Sequence, residues 1–491
     1  MREKFVRRTF MVTIAAVVVL FAAGRADAQW EAVYGDATSA ETGGRGVRAL
    51  QSCDSSGFVS VGSVSPVGDV RVVRTDASGT PVFERRYDIG NDGSFDRGES
   101  IVELRDGSGF VVTGFSESTA PRRNIFLLKI DCNGDFVWAS VYATNRDEIG
   151  FDIVEATSGD PHAHTSAGDL IVAGVVVRGG DNPDGILMRV QSDGTMIWNR
   201  RYDVNDANEM FLSLIEARPN TSVSPTGDIV AVGQLRSGTQ SDGFAVRVDG
   251  NTGLFGGPDT CAATFGGLDE EVFTGVVELR STGLTGQLVL VGTTWSASNA
   301  QDIYAVRTLP NPCIAGPQRR IGASATAPLG DEFVTDILEQ RGNLTLAPLG
   351  SLLLTGGVGR PGTQGYDAFL LALEPMSLVP LFGSGRLYGD HGPGYDAGTS
   401  LFEVPVPASA LGVVIDATSQ SDFEGIGDPS DTFLIRTNSN GETICDERWN
   451  PPSITENFPV RPVDMNPVAI LTRFQVPAGI VREDTAFHVC P

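Results

Sequence analysis

Lysine is nearly missing from this 491-residue chain: only Lys4 and Lys129 occur, against 34 arginines. A mechanism built on a Schiff-base lysine is therefore close to excluded. Positive charge is short altogether, with 36 Lys+Arg facing 61 Asp+Glu, a formal net charge of −25 and a pI near 4.5. That balance argues against a nucleic-acid binder. Histidine occurs four times, and after residue 28 no apolar run approaches the roughly 20 residues that span a bilayer as a helix. Phosphate-binding glycine loops, a Gly-x-Ser-x-Gly elbow, a zinc-protease helix and an EF-hand string are all missing, as is any stretch of helical period.

What the chain has in quantity is turn-forming residues, Gly 59 and Pro 27, beside 41% apolar and 20% charged residues. Such a composition suits a large folded core made of short strands joined by tight turns, an all-β protein. Residues 1–28 read as a cleavable signal peptide. Arg2, Lys4, Arg7 and Arg8 give a basic start, Met11 to Ala23 an apolar run, and Ala26-Asp27-Ala28 a small-x-small cleavage site before Gln29. The Arg7-Arg8 pair leaves both the general secretory and the twin-arginine routes open. Residues 29–491 are then one exported domain.

That domain is repetitive, with a unit of roughly 52 to 64 residues. One copy shows the parts: Ser100 to Leu104, Gly109 to Gly114, Asn124 to Lys129 and Phe136 to Tyr142 are four short runs rich in β-branched and aromatic residues. Columns recur from copy to copy. An acidic-leaning pair opens the first strand at Glu41-Thr42, Phe95-Asp96, Asp147-Glu148, Asn208-Glu209, Glu270-Glu271, Asp331-Glu332, Tyr395-Asp396 and Glu456-Asn457. The strand ends on Ala49, Glu103, Glu155, Glu216, Glu278, Glu339, Glu403 and Asp464. A glycine closes the second strand from Gly62 to Gly356, with Asp416 and Arg473 departing, and Asp or Asn leads the third.

Four antiparallel strands per unit, repeated radially, are the pattern of a β-propeller. Eight copies predict eight four-stranded blades. The eighth supplies only three strands, around Val460 to Met465, Val468 to Gln475 and Thr485 to Val489, so the N-terminal strand at Trp30 to Gly35 is expected to complete the last blade. Seven blades plus a tail is the alternative. The pattern resembles the β-propeller repeat proteins exported by many bacteria, with Tyr-Gly, an acidic pair, a Gly-closed strand, an Asp-led strand and an Asp-x-x-Gly turn before Trp. The resemblance covers essentially all of 30–491. It implies a propeller and no particular activity. The turns Asp131-Cys132-Asn133-Gly134 and Asp76-Ala77-Ser78-Gly79 resemble the Asp-box hairpins of sialidase-like propellers in position only, and no catalytic residue is carried over.

Six cysteines in an exported chain predict disulfides. In the repeat register they fall in neighbouring copies, which favours Cys53 with Cys132, Cys261 with Cys313 and Cys445 with Cys490. Free buried thiols are the alternative.

Chemistry is expected on the face where blades connect, around the channel mouth. The acidic column there offers Asp96, Asp147, Glu148, Glu209, Glu270 and Asp331 as oxygen ligands for a divalent cation such as Ca²⁺. A residue repeated in every blade equally well caps turns or bonds neighbouring backbone. Departures from the repeat are the other candidates. Asp390, His391 and Asp396 form an acid-base constellation, His162 and His164 a His-x-His spacing, and Asp422, Glu424 and Asp428 an acidic loop. The reading that follows is a secreted or periplasmic, monomeric binding scaffold for a protein or glycan. The alternative is a carbohydrate- or peptide-processing enzyme using mouth-face carboxylates and His391.

Overall fold

The structure is a computed structural model. It describes residues 29–35, 40–46, 48–49, 53, 57–66, 68–118, 122–157, 168–179, 182–217, 227–256, 260–295, 301–322, 330–342, 344–360, 365–389, 394–404, 412–419, 431–443, 446–449, 451, 453–456, 460–463, 465, 467–476, 478–483 and 488–489. The described residues contain strands and no helix, arranged as seven antiparallel sheets. The fold is a β-propeller of seven blades, the alternative count.

Blades 1 to 6 start from inner strands Ala40–Gly43, Asp96–Glu103, Asp147–Glu155, Asn208–Ala217, Glu270–Glu278 and Glu332–Glu339, and blade 7 from Asp396–Glu403. In blade 3 the inner strand is followed outward by Leu170–Arg178, Asn182–Val190 and Met196–Tyr202, each paired with its predecessor. Seven apolar clusters form the core, one at each blade interface. Val59, Val61 and Val72 of blade 1, for instance, pack against Ile101, Val112 and Phe126 of blade 2. Alternation along each strand puts its side chains on both sheet faces, so both faces are apolar and each blade is buried between two others.

Ring closure uses the N-terminus, as the repeat predicts. Trp30–Tyr34 pairs with Asp431–Arg436 and is the fourth strand of blade 7.

The eighth copy is not a blade. Its strands leave blade 7 and run around the outside of the ring, adding an edge strand to one blade after another. Glu447–Trp449 pairs with blade 6, Ser453–Glu456 with blade 5 and Val460–Pro462 with blade 4. Val468 bridges Arg201 of blade 3, Thr472–Val476 pairs with blade 2, Ala478–Glu483 with blade 1, and His488–Val489 with Trp30–Tyr34 of blade 7. This belt caps outer edges that would otherwise present unpaired backbone groups. The physical reason for the correction lies in pairing. The three strand-like runs of residues 460–489 have β propensity and spacing like a blade's, yet each bonds to a different sheet. Arg473, at the glycine column in the eighth-blade register, is a belt residue that donates to Ser140 Oγ and to the carbonyl of Asp193.

Two disulfides join neighbouring blades as expected, Cys53–Cys132 and Cys261–Cys313. Cys445 and Cys490 lie outside the described residues.

Candidate functional site

The recurring columns resolve into staples between blades. Five of the glutamates at the ends of inner strands accept backbone N–H groups from the blade before them: Glu103 from Cys53, Glu155 from Arg105, Glu216 from Thr157, Glu339 from Arg280 and Ser281, Glu403 from Arg341 and Gly342. Arginines in the third strands reach the other way. Arg74, Arg189 and Arg247 donate to the carbonyls of Cys132, Gly250 and Pro310 in the next blade. These residues are architecture.

The glycine column has a local cause. In blades 2 to 7 the inner strand carries a β-bulge, at Gly98/Ser100 in blade 2 and at the matching positions onward. The bulge presses an inner-strand carbonyl against the second strand, so a Cβ at Gly114, Gly174, Gly233 or Gly356 would fall within 2.0 Å of it. Only glycine fits there.

The acidic column is also buried. Asp96, Glu148, Glu209, Glu271, Glu332 and Asp396 all lie within 1% of full burial at the junction with the preceding blade. Asp96 accepts the Ile89 amide at 2.5 Å, Glu209 the Val204 amide at 3.2 Å and Asp396 the Ser419 hydroxyl at 2.5 Å. Burial pushes the carboxyl of Asp96 up to about 8, Glu148 to about 7, Glu209 and Glu271 to about 8 and Glu332 to about 9. Asp302 and Asp331 add like-charge repulsion at Glu332. The remaining predicted ligands stay nearer the surface. Asp147 accepts the Arg123 amide, Asp331 accepts the Gln301 amide and the Tyr366 hydroxyl, and Glu270 is exposed.

The predicted ligands are thus distributed one junction at a time around the ring. Among the described residues one carboxylate triad has metal-ligand proximity, Asp184, Asp203 and Glu209, with oxygens within 4.8 Å of one another. It includes one residue of the predicted set. Arginines are already inserted there: Arg178 lies 2.7 Å from Asp184 and 3.3 Å from Asp203, and Arg201 lies 3.2 Å from Asp184. Arg320 plays the same part beside Asp302 at 2.6 Å. In blade 4, where Thr264 stands in place of that arginine, the belt supplies Arg461, paired opposite Thr264 and 3.1 Å from Asp242.

Beside the triad, between blades 2 and 3, lies a cavity of about 330 Å³ lined by Arg122, Asn145, Arg146, Asp147, Val177, Arg178 and Gly179. Arg178 is held by Asp184, Asp203 and Asp206. Arg122 and Arg146 make no ion pair among the described residues, although the chain as a whole carries a net charge of −25. Sequence reading missed this pocket because it followed the acidic columns. The signal was there in Arg122-Arg123 and Arg146, basic residues placed immediately before third- and first-strand starts.

Of the acid-base constellation, Asp396 is a buried junction residue. Asp390, His391, His162, His164, Asp422, Glu424 and Asp428 lie outside the described residues. No protein-family model matches this chain, and no curated protein is detectably similar to it. Its class is therefore set by architecture: a disulfide-linked, seven-bladed β-propeller. No helix of the described residues is long and apolar enough to cross a membrane.

Proposed function

We propose that this propeller is a binding scaffold of an oxidising compartment outside the cytoplasm, and that its mouth face takes an acidic group, such as a glycan or peptide carboxylate, at the blade 2/3 pocket. The observation that carries the reading is the pair Arg122 and Arg146, two cations without an ion-pair partner among the described residues, on the wall of a 330 Å³ cavity beside a fixed Arg178. Guanidinium groups recognise carboxylates in bidentate geometry, and an arginine already oriented by Asp184 and Asp203 loses little freedom on binding. The net charge of −25 repels an anion at long range, but in 0.1 M salt that field is screened beyond about 10 Å, so contact with the pocket decides. The two disulfides support an oxidising location.

Retention of residues 29–491 on an immobilised acidic polysaccharide, compared with a neutral one in 0.1 M salt, tests the reading. Wild type is retained on the acidic matrix, and the double variant Arg122→Glu with Arg146→Glu passes through. Equal passage of both proteins overturns it.

A divalent cation is the second reading, favoured by the triad Asp184, Asp203 and Glu209. It requires displacing Arg178 and Arg201 from the same oxygens. An ion that binds only the folded ring raises its melting temperature by mass action. Under this reading Tm rises in millimolar Ca²⁺ relative to chelator, and Glu209→Gln abolishes the rise. The enzyme alternative needs a catalytic cluster on this face, and turnover of a polysaccharide panel lost in His391→Ala is its test.

A further inference from the structure

The bulges in blades 2 to 7 leave one residue of each inner strand out of the ladder: Glu99, Phe151, Leu212, Thr274, Thr335 and Thr399. Each is partly exposed and follows a buried residue, and this column lines the axis of the ring. In blade 1 the equivalent position, four residues before Ala49 as Glu99 is four before Glu103, is Arg45.

Arg45 crosses the axis. Its Nη1 donates to the Leu212 carbonyl of blade 4 at 2.7 Å, and its Nη2 donates to the Thr274 carbonyl of blade 5 at 2.5 Å and to the Thr335 carbonyl of blade 6 at 3.0 Å. One guanidinium thus bonds three consecutive blades on the far side of the ring. Its own backbone is fixed to blade 2, where the Arg45 amide donates to the Glu99 carbonyl at 2.5 Å and the Arg45 carbonyl accepts from Ile101 at 3.2 Å. The collar is tied independently of Arg45. Thr274, Thr335 and Thr399 donate their hydroxyls to Val334, Gly398 and Gly44 of the following blades, and Asp152 accepts from Ser100, Ser213 and Leu214.

We propose that this collar of bulge carbonyls is a guanidinium-binding site, filled by the chain's own Arg45, which plugs the axial channel as an internal ligand. The reading goes beyond the blade 2/3 pocket and does not depend on it. Bulge residues have no ladder partner on the second strand, so the carbonyls of Leu212, Thr274 and Thr335 aim inward, and a planar cation with several N–H donors satisfies them together. Glu99 adds a carboxylate on the same layer, ion-paired with Arg97 at 2.8 Å. Because the threonine relay and the belt hold the ring without Arg45, a vacated collar keeps its geometry and accepts a free guanidinium ion.

Arg45→Ala is the test, with guanidinium chloride in the millimolar range as the probe and sodium chloride and urea at equal concentration as controls. Guanidinium binds the variant at least about tenfold more tightly than wild type by calorimetric titration, the equivalent of one charged hydrogen bond gained. It also raises the variant's Tm while leaving wild type unchanged or lower. Should Arg45→Ala not fold, Arg45→Lys keeps a cation on the axis with fewer donors, and guanidinium stabilises it by a smaller but still selective amount. Equal responses of wild type and whichever variant folds, or stabilisation matched by sodium chloride, overturn the proposal.

Discussion

Tyr34 donates its hydroxyl to the carbonyl of Gly79 at 2.6 Å, and this bond joins the first strand of the chain, working as the last strand of blade 7, to the turn of blade 1. It is one copy of a device used around the ring. Tyr87 reaches Gly134, Tyr142 reaches Gly194, Tyr202 reaches Gly253 and Tyr388 reaches Gly441, at 2.6, 2.6, 2.9 and 2.6 Å. Each accepting glycine has a positive φ, between 67° and 83°, as its tight turn requires. The seam between the two ends of the blade array is therefore built like four of the interior junctions, those after blades 4 and 5 carrying Phe265 and Ile321 in place of the tyrosine.

Replacing Tyr34 by Phe removes the hydroxyl and leaves the Gly79 carbonyl buried without that donor, at a cost of about 1–2 kcal/mol. Tyr87→Phe is expected to cost a similar amount, because the seam is bonded like the interior junctions. Denaturant melts of the two variants check this. A Tyr34 variant losing several times more than the Tyr87 variant would mean that the seam, and not the average junction, limits stability.

Stability also depends on pH through the buried acids. The folded values of about 8 for Asp96, Glu209 and Glu271 and about 9 for Glu332 stand above those of the unfolded chain, near 4. The folded state therefore holds protons that the unfolded state releases. This contribution is fully present below about pH 4 and is lost as pH climbs toward 9. Tm at pH 5.5 is expected to exceed Tm at pH 9 by several degrees. Around Glu332 stand Asp331, Asp302 with its partner Arg320, and the Tyr366 hydroxyl bonded to Asp331. Glu332→Gln carries no titrating proton, so it should flatten the high-pH decline and raise Tm at pH 9. A Tm that climbs steadily from pH 5.5 to pH 9 contradicts the sign.

Glu339 takes the Arg280 amide at 2.8 Å, the Ser281 amide at 2.9 Å and the Ser281 hydroxyl at 2.5 Å. Glu339→Ala strands those donors between blades 5 and 6 and should lower stability by roughly 2–3 kcal/mol. Glu270→Ala, at an exposed position in the same ring, should fall within about 0.5 kcal/mol of wild type. Parallel denaturant titrations separate the two, and equal effects would remove the staple from the account.

The columns were legible in the sequence because most blade junctions repeat the same chemistry: glutamate on backbone amides, tyrosine on a glycine carbonyl at five of the seven, glycine under a bulge. Strand content, the N-terminal closure and two disulfide pairs followed from the same register. The belt was not legible. Its strands pair by backbone with six sheets and by a single bridge with the seventh, and the few side-chain contacts it adds, from Arg461 and Arg473, do not recur, so no side-chain pattern separates Val460 to Val489 from a truncated blade. Arg45 escaped notice for the opposite reason. It is a singular residue in a column that otherwise reads Glu99, Phe151, Leu212, Thr274, Thr335 and Thr399, in which only the three threonines repeat and no other member is basic.

The path of the belt bears on the third expected disulfide. The belt starts at blade 6 and ends on blade 7, next door, after circling by way of blades 5 to 1. Described residues close to each cysteine meet on the same strand: Thr443 bonds Glu31, and Val489 pairs with Ala32. A bond between Cys445 and Cys490 would therefore close the belt covalently around the whole propeller. Peptide mapping of unreduced protein is expected to give a crosslinked peptide containing Cys445 and Cys490. Cys445→Ser with Cys490→Ser should free the belt's end, so that proteolysis removes the C-terminal segment sooner and the uncovered blade edges promote association between molecules. Free thiols at both positions, with proteolysis unchanged, would show that strand pairing alone holds the belt.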